Sequence, residues 1–194
     1  MKKLVLAFAL VLTGAFSQQS KASFLIDPYI GYKLAWDTPS KLGNDVDVTR
    51  NGMMYGARAG YQFLGFMAGF EYGMGSGMTW DVAAATALGV SSAEKSYDAT
   101  YMGVFVGYEL PIMLRAWASY YFDANWEFEG GNKVELTAIS FGVGFTGLPF
   151  VSLNAEYRIN TFDTKVFALT PSVSSDDYKS NGELFFSVSL PLNL

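Results

Sequence analysis

The residues able to do chemistry in this chain are few, and they come in opposite signs. Asp27, Glu71, Glu109 and Glu156 are acidic, Lys33, Arg58, Arg115 and Arg158 are basic, and each lies in a stretch otherwise rich in apolar residues or glycine. None of the 194 residues is histidine or cysteine, which removes Ser/His and Cys/His nucleophile pairs, thiolate zinc sites and disulfides. Charges withdrawn from water persist only when paired and hydrogen-bonded, so four acids facing four bases point to cohesion and fixed register. Nothing in this set calls for a metal or a cofactor. The other acidic pairs, Asp45 with Asp47 and Asp176 with Asp177, fall in polar stretches read as solvated loops, with calcium ligation as the alternative.

The elements that must position these charges have a period of two. From Met53 to Phe63, Tyr55, Ala57, Ala59, Tyr61 and Phe63 share one face, whereas Met54, Gly56, Arg58, Gly60 and Gln62 share the other. The same split recurs along the chain and predicts eight strands: Phe24–Trp36, Met53–Phe63, Phe66–Gly75, Ala99–Leu110, Leu114–Phe122, Leu136–Thr146, Phe150–Ile159 and Gly182–Leu194. Leu136 to Ala155 carries no formal charge and is long enough for a membrane helix. Ser140, Gly142, Gly144 and Thr146 at alternate positions, followed by Gly147-Leu148-Pro149, make it a hairpin instead.

Short and long connections alternate. Leu64-Gly65, Pro111 to Met113 and Gly147 to Pro149 read as tight turns, while Asp37–Gly52, Ser76–Asp98, Asp123–Glu135 and Asn160–Asn181 read as long loops. An even number of strands with turns at one end and loops at the other is the pattern of an all-β, eight-stranded antiparallel up-and-down transmembrane β-barrel. Within the loops, Asp81–Leu88 with its alanine run is a candidate short helix, and Val166–Leu169 is read as an extended rim or an adhesive tip.

Lys2 and Lys3, the apolar run Leu4–Phe16 and the polar stretch ending at Ala22 form the three parts of a secretory signal, too short in its apolar part to span a bilayer. Residues 1–22 are therefore expected to be removed, leaving one barrel domain over 23–194. That domain keeps ten Lys plus Arg against eighteen Asp plus Glu, a net charge of −8 that excludes nucleic acid as a partner. Export without cysteine points to a Gram-negative envelope, and the barrel to its outer membrane.

Two barrels fit eight alternating strands. A soluble lipocalin-like barrel keeps its apolar face inside, whereas a membrane barrel turns it to lipid. The polar face here is Gly, Ser and Ala with one or two charges per strand, which suits a cramped lumen better than a wet exterior. Aromatics near strand ends, including Trp36, Tyr55, Tyr61, Tyr108 and Tyr120, suit interfacial belts. Counting back from the turns opposes Arg58 to Glu71 and Glu109 to Arg115 inside the lumen, so both are expected to be ion pairs.

The stretches YIGYKLAW, YGARAGYQF, AGFEYGMG and LNAEYR resemble strands of the OmpA and OmpX type of small outer-membrane barrel, and the resemblance spans nearly all of 23–194. It implies a monomer inserted by the outer-membrane machinery with periplasmic chaperones, in contact with outer-membrane lipid and lipopolysaccharide. No peptidoglycan-binding segment follows the last strand, and the last residue is Leu194 where the family usually has an aromatic. The expected function is a non-enzymatic barrel that supports the envelope and displays four loops for adhesion or recognition. A narrow ion pore is the alternative, and a lipid-modifying barrel, a class that generally relies on histidine, is a remoter one.

Overall fold

A computed structural model describes residues 22–37, 48–82, 93–128, 133–162 and 180–194. The strands are β1 (Ser23–Asp37), β2 (Val48–Phe63), β3 (Phe66–Val82), β4 (Ala93–Leu110), β5 (Leu114–Phe128), β6 (Lys133–Phe145), β7 (Ser152–Phe162), β8 (Ser180–Ser189) and the two-residue β9 (Leu192–Asn193). Each strand pairs antiparallel with the next, and β1 pairs with both β2 and β8, so the sheet closes on itself. β9 continues the register of β8 on β1, and the two form one eighth stave interrupted at Leu190-Pro191. The prolines explain the break: Pro28 in β1 has no N–H to give Leu190, although Leu190 N still donates to the Pro28 carbonyl at 2.9 Å. Residues 1–21 of the expected signal segment, the residues 83–88 of the expected helix, Val166–Leu169 and the acidic pairs at 45/47 and 176/177 lie outside the described residues.

The three tight connections fall at one end. Leu64 and Gly65 both have positive φ, 50° and 84°, which matches the strand twist and makes the two-residue turn that joins Phe63 to its partner Phe66. Pro111, Ile112 and Met113 link the paired residues Leu110 and Leu114. The third connection is longer than expected, running from Thr146 to Val151, because β7 begins at Ser152.

The sharper correction concerns strand length at the opposite end. Ser76–Val82, Ala93–Asp98 and Asp123–Phe128 were expected to be loop and are strand, as are Asp81 and Val82, which were expected to begin a helix. In these extensions the polarity of the two faces is reversed. Tyr97, Trp126, Phe128, Val134 and Leu136 are buried inside, whereas Asp98, Glu127, Lys133 and Glu135 face outward. The barrel thus has two zones. Around the short-turn half the wall is apolar outside and ionic inside; above it stands a collar with a polar exterior and an aromatic core. Register shifts occur between Asn51 and Met54, Gly75 and Met78, and Tyr121 and Ala124, close to the boundary between the zones. Asp98 secures one of them, its Oδ1 accepting from Ser76 Oγ and Gly77 N, each at 2.9 Å.

Candidate functional site

Alternation along β1, β2, β3, β5 and β7 delivers the charges into the lumen of the lower zone. Asp27, Arg58, Glu71, Arg115, Glu156 and Arg158 are all buried there, and Lys33 is buried nearer the collar. Arg58 is the hub. Its Nη1 lies 3.1 Å from Asp27 Oδ2, its Nε 3.4 Å from Glu71 Oε1 and its Nη2 3.3 Å from Glu156 Oε2. The guanidinium also packs over two rings, its carbon 4.3 Å from the Trp117 centroid and 5.0 Å from that of Tyr29.

The carboxylates that meet Arg58 are held in turn. Ser119 Oγ donates to Glu71 at 2.7 Å, and Trp117 Nε1 and Tyr121 Oη each donate to Glu156 at 3.3 Å. Arg158, two residues along β7, meets Glu156 at 2.7 Å and reaches Glu183 at 3.6 Å. Glu183 also pairs with Lys33 at 3.1 Å and accepts from Tyr101 Oη at 3.1 Å. The amine of Lys33 lies 5.3 Å from the Trp126 ring and 5.4 Å from that of Tyr97, where the ionic zone meets the aromatic core of the collar.

One of the two expected hairpin pairs is replaced. Arg58 and Glu71 are register partners in close contact. Glu109 and Arg115 are register partners too, but Arg115 turns inward, Nη1 to Asp27 at 2.9 Å and Nη2 to Asn154 and Ser189 at 2.9 and 2.8 Å. Three buried acceptors hold the guanidinium better than one carboxylate at the barrel mouth, and Glu109 instead accepts from Gln62 Nε2. Among the described residues, two buried ions fall outside the sequence-derived set, Glu183 and Arg50. Glu183 shares the inward parity of Phe185, Ser187 and Ser189, so the alternation of β8 carried its signal. Arg50 was assigned to a loop because the strand was started at Met53; it packs over the Trp126 ring at 4.8 Å.

Among the described residues, the lumen opens toward its short-turn mouth. A cavity of about 200 Å³ is lined there by Gln62, Glu109, Arg115, Ser152 and several apolar side chains. Below Arg58 and Trp117 the space narrows to a crevice without room for water. Among the described residues no group of three or more potential ligands is arranged to hold a metal ion.

On the outer wall of the lower zone, Tyr61, Phe66, Phe70, Val106, Phe141 and Val143 are all more than half exposed. Such a surface around a closed cylinder with buried ions is arranged for hydrocarbon, not for water. Fold and site together define a small closed eight-stranded antiparallel up-and-down β-barrel with an apolar outer wall and an ionic lumen.

No protein-family model matches the chain, and no curated protein matches it either. Among solved structures, Neisserial surface protein A (NspA) is similar with 17% identity and a TM-score of 0.49, over 88% of this chain and 99% of that one. Ail, the attachment invasion locus protein of Yersinia pestis, solved with the heparin analogue sucrose octasulfate, is similar with 12% identity and a TM-score of 0.45, over 89% and 99%. An outer membrane protein of Vibrio cholerae, OmpT lacking loop L8, has 12% identity and a TM-score of 0.35, over 82% of this chain and 62% of that one.

Proposed function

We propose that the protein is a non-enzymatic outer-membrane barrel of a Gram-negative envelope, a closed scaffold that reinforces the membrane and displays four long connections for adhesion or recognition. The observation that carries this reading is the lumenal plug, in which Arg58 ties carboxylates from β1, β3 and β7 together across the barrel. Ions interlocked in this way fix register and leave no continuous path. The absence of histidine from the sequence weighs against hydrolytic or acyl-transfer chemistry. Lipopolysaccharide and outer-membrane lipid are the proposed neighbours, with delivery by periplasmic chaperones and the insertion machinery after loss of residues 1–22.

Planar-bilayer recording tests the scaffold: the folded protein is expected to be silent. Steady, salt-dependent conductance steps would overturn it in favour of a narrow pore, the reading that the cavity at the short-turn mouth supports. The display role is tested by loop-deleted and loop-swapped variants on host cells and on lipopolysaccharide. Unchanged binding by every variant would leave a purely mechanical role.

A further inference from the structure

Among the described residues, the short-turn end of the barrel carries no charged side chain on its outer surface. Leu64-Gly65, Pro111-Ile112-Met113, Thr146 to Val151 and Leu190 to Leu194 contain no Asp, Glu, Lys or Arg. Glu109 and Arg115 stand nearby but line the cavity. The tips present large apolar groups instead: Phe150 is 86% exposed, Met113 59% and Ile112 58%. Turn tips that project into water are normally polar, with Gly, Asn, Asp and Ser supplying their chemistry. Here the apolar wall reaches the turns without a break, through Phe63, Phe66, Leu110, Leu114 and Phe145.

The backbone is also prepared for a dry setting. Glu109 N donates to the Gly65 carbonyl at 2.7 Å, and Thr146 N donates to the Met113 carbonyl at 2.8 Å, so neighbouring turns share hydrogen bonds. Irregular backbone is excluded from hydrocarbon when unpaired but tolerated at the headgroup boundary, where apolar groups sink about 5–10 Å.

We propose that the short-turn end is seated within the headgroup and acyl boundary of the adjoining leaflet, with Ile112, Met113 and Phe150 as its lipid anchors, and does not protrude into the aqueous phase. The occupant of this surface is lipid because the surface continues the lipid-facing wall. The inference rests on the transmembrane reading, and its test separates the two. The chain has no cysteine, so single substitutions can be labelled without background. Ile112→Cys, Phe150→Cys and, on the mid-wall, Phe70→Cys are spin-labelled in phosphatidylcholine vesicles, and collision with oxygen is compared with collision with a water-soluble nickel chelate. Oxygen is expected to dominate at all three positions. Dominance of the chelate at 112 and 150 with oxygen at 70 would overturn the seating alone. Dominance of the chelate at all three would overturn the transmembrane reading with it. Should a labelled variant fail to fold, Phe150→Trp reads the same depth as quenching by brominated acyl chains in excess of that of the parent, whose four tryptophans set the baseline, and absence of any excess overturns the seating.

Discussion

Glu156 and Arg158 stand two residues apart on β7 and meet within the lumen, Oε1 to Nη2, at 2.7 Å. A spacing of two puts both on one face of a strand, so the Glu-Tyr-Arg triplet is a local ion pair with a lipid-facing tyrosine between its members. Its position gives it a second property. Glu156 receives Arg58 from the lower cluster and Arg158 reaches Glu183 in the upper one, so this pair joins the two halves of the network.

Replacing Glu156 by Gln and Arg158 by Met, singly and together, measures that junction. Urea unfolding in lipid vesicles is expected to show a coupling of about 0.5–3 kcal/mol, because the two side chains share partners. Strict additivity would mean that the halves stand independently.

Arg58→Ala takes one partner from Asp27 and Glu156, which keep Arg115 and Arg158, and strands Glu71. The expected loss is about 3–5 kcal/mol, the range for breaking a buried pair and stranding its partner. The same titration checks it, and unfolding like the parent would show that water reaches the site and screens it.

Gly142 is a matter of space. An added Cβ would lie far inside van der Waals contact with the Trp117 ring, which covers this glycine and whose Nε1 holds Glu156. Gly142→Ala is expected to cost about 1–3 kcal/mol by overpacking and to move the indole, visible as altered tryptophan fluorescence.

The two zones of the wall make opposite forecasts for outward residues. Phe70→Arg, on the apolar band, is expected to cost about 2–4 kcal/mol in vesicles. Glu127→Ala, on the collar, is expected to change stability by no more than about 0.5 kcal/mol. Equal effects at the two sites would contradict the boundary between them.

The lower zone was legible in the sequence because its alternation is uninterrupted and its turns are short; the Leu64-Gly65 turn alone aligned Arg58 with Glu71. The collar was not, for a definite physical reason. In β5, odd residues from Arg115 to Tyr121 point inward, but after Phe122 and Asp123, both exposed, the even residues Ala124, Trp126 and Phe128 do so. β3 changes parity in the same way around Ser76-Gly77. A fixed period of two ends at such a bulge, and the reversal of polarity beyond it makes the continuation resemble loop. The partner chosen by Arg115 was hidden differently, since Asp27, Asn154 and Ser189 come from strands that only closure brings together.

Above Met102, β4 continues through nine further residues, Ala93–Tyr101, enough to rise roughly 20 Å at ordinary strand tilt. Aromatic side chains, among them Tyr97, Tyr101, Trp126 and Phe128, fill this part of the tube. The strand ends from which the four long connections leave thus stand clear of the apolar band, and a substitution beyond them touches none of the ion pairs beneath.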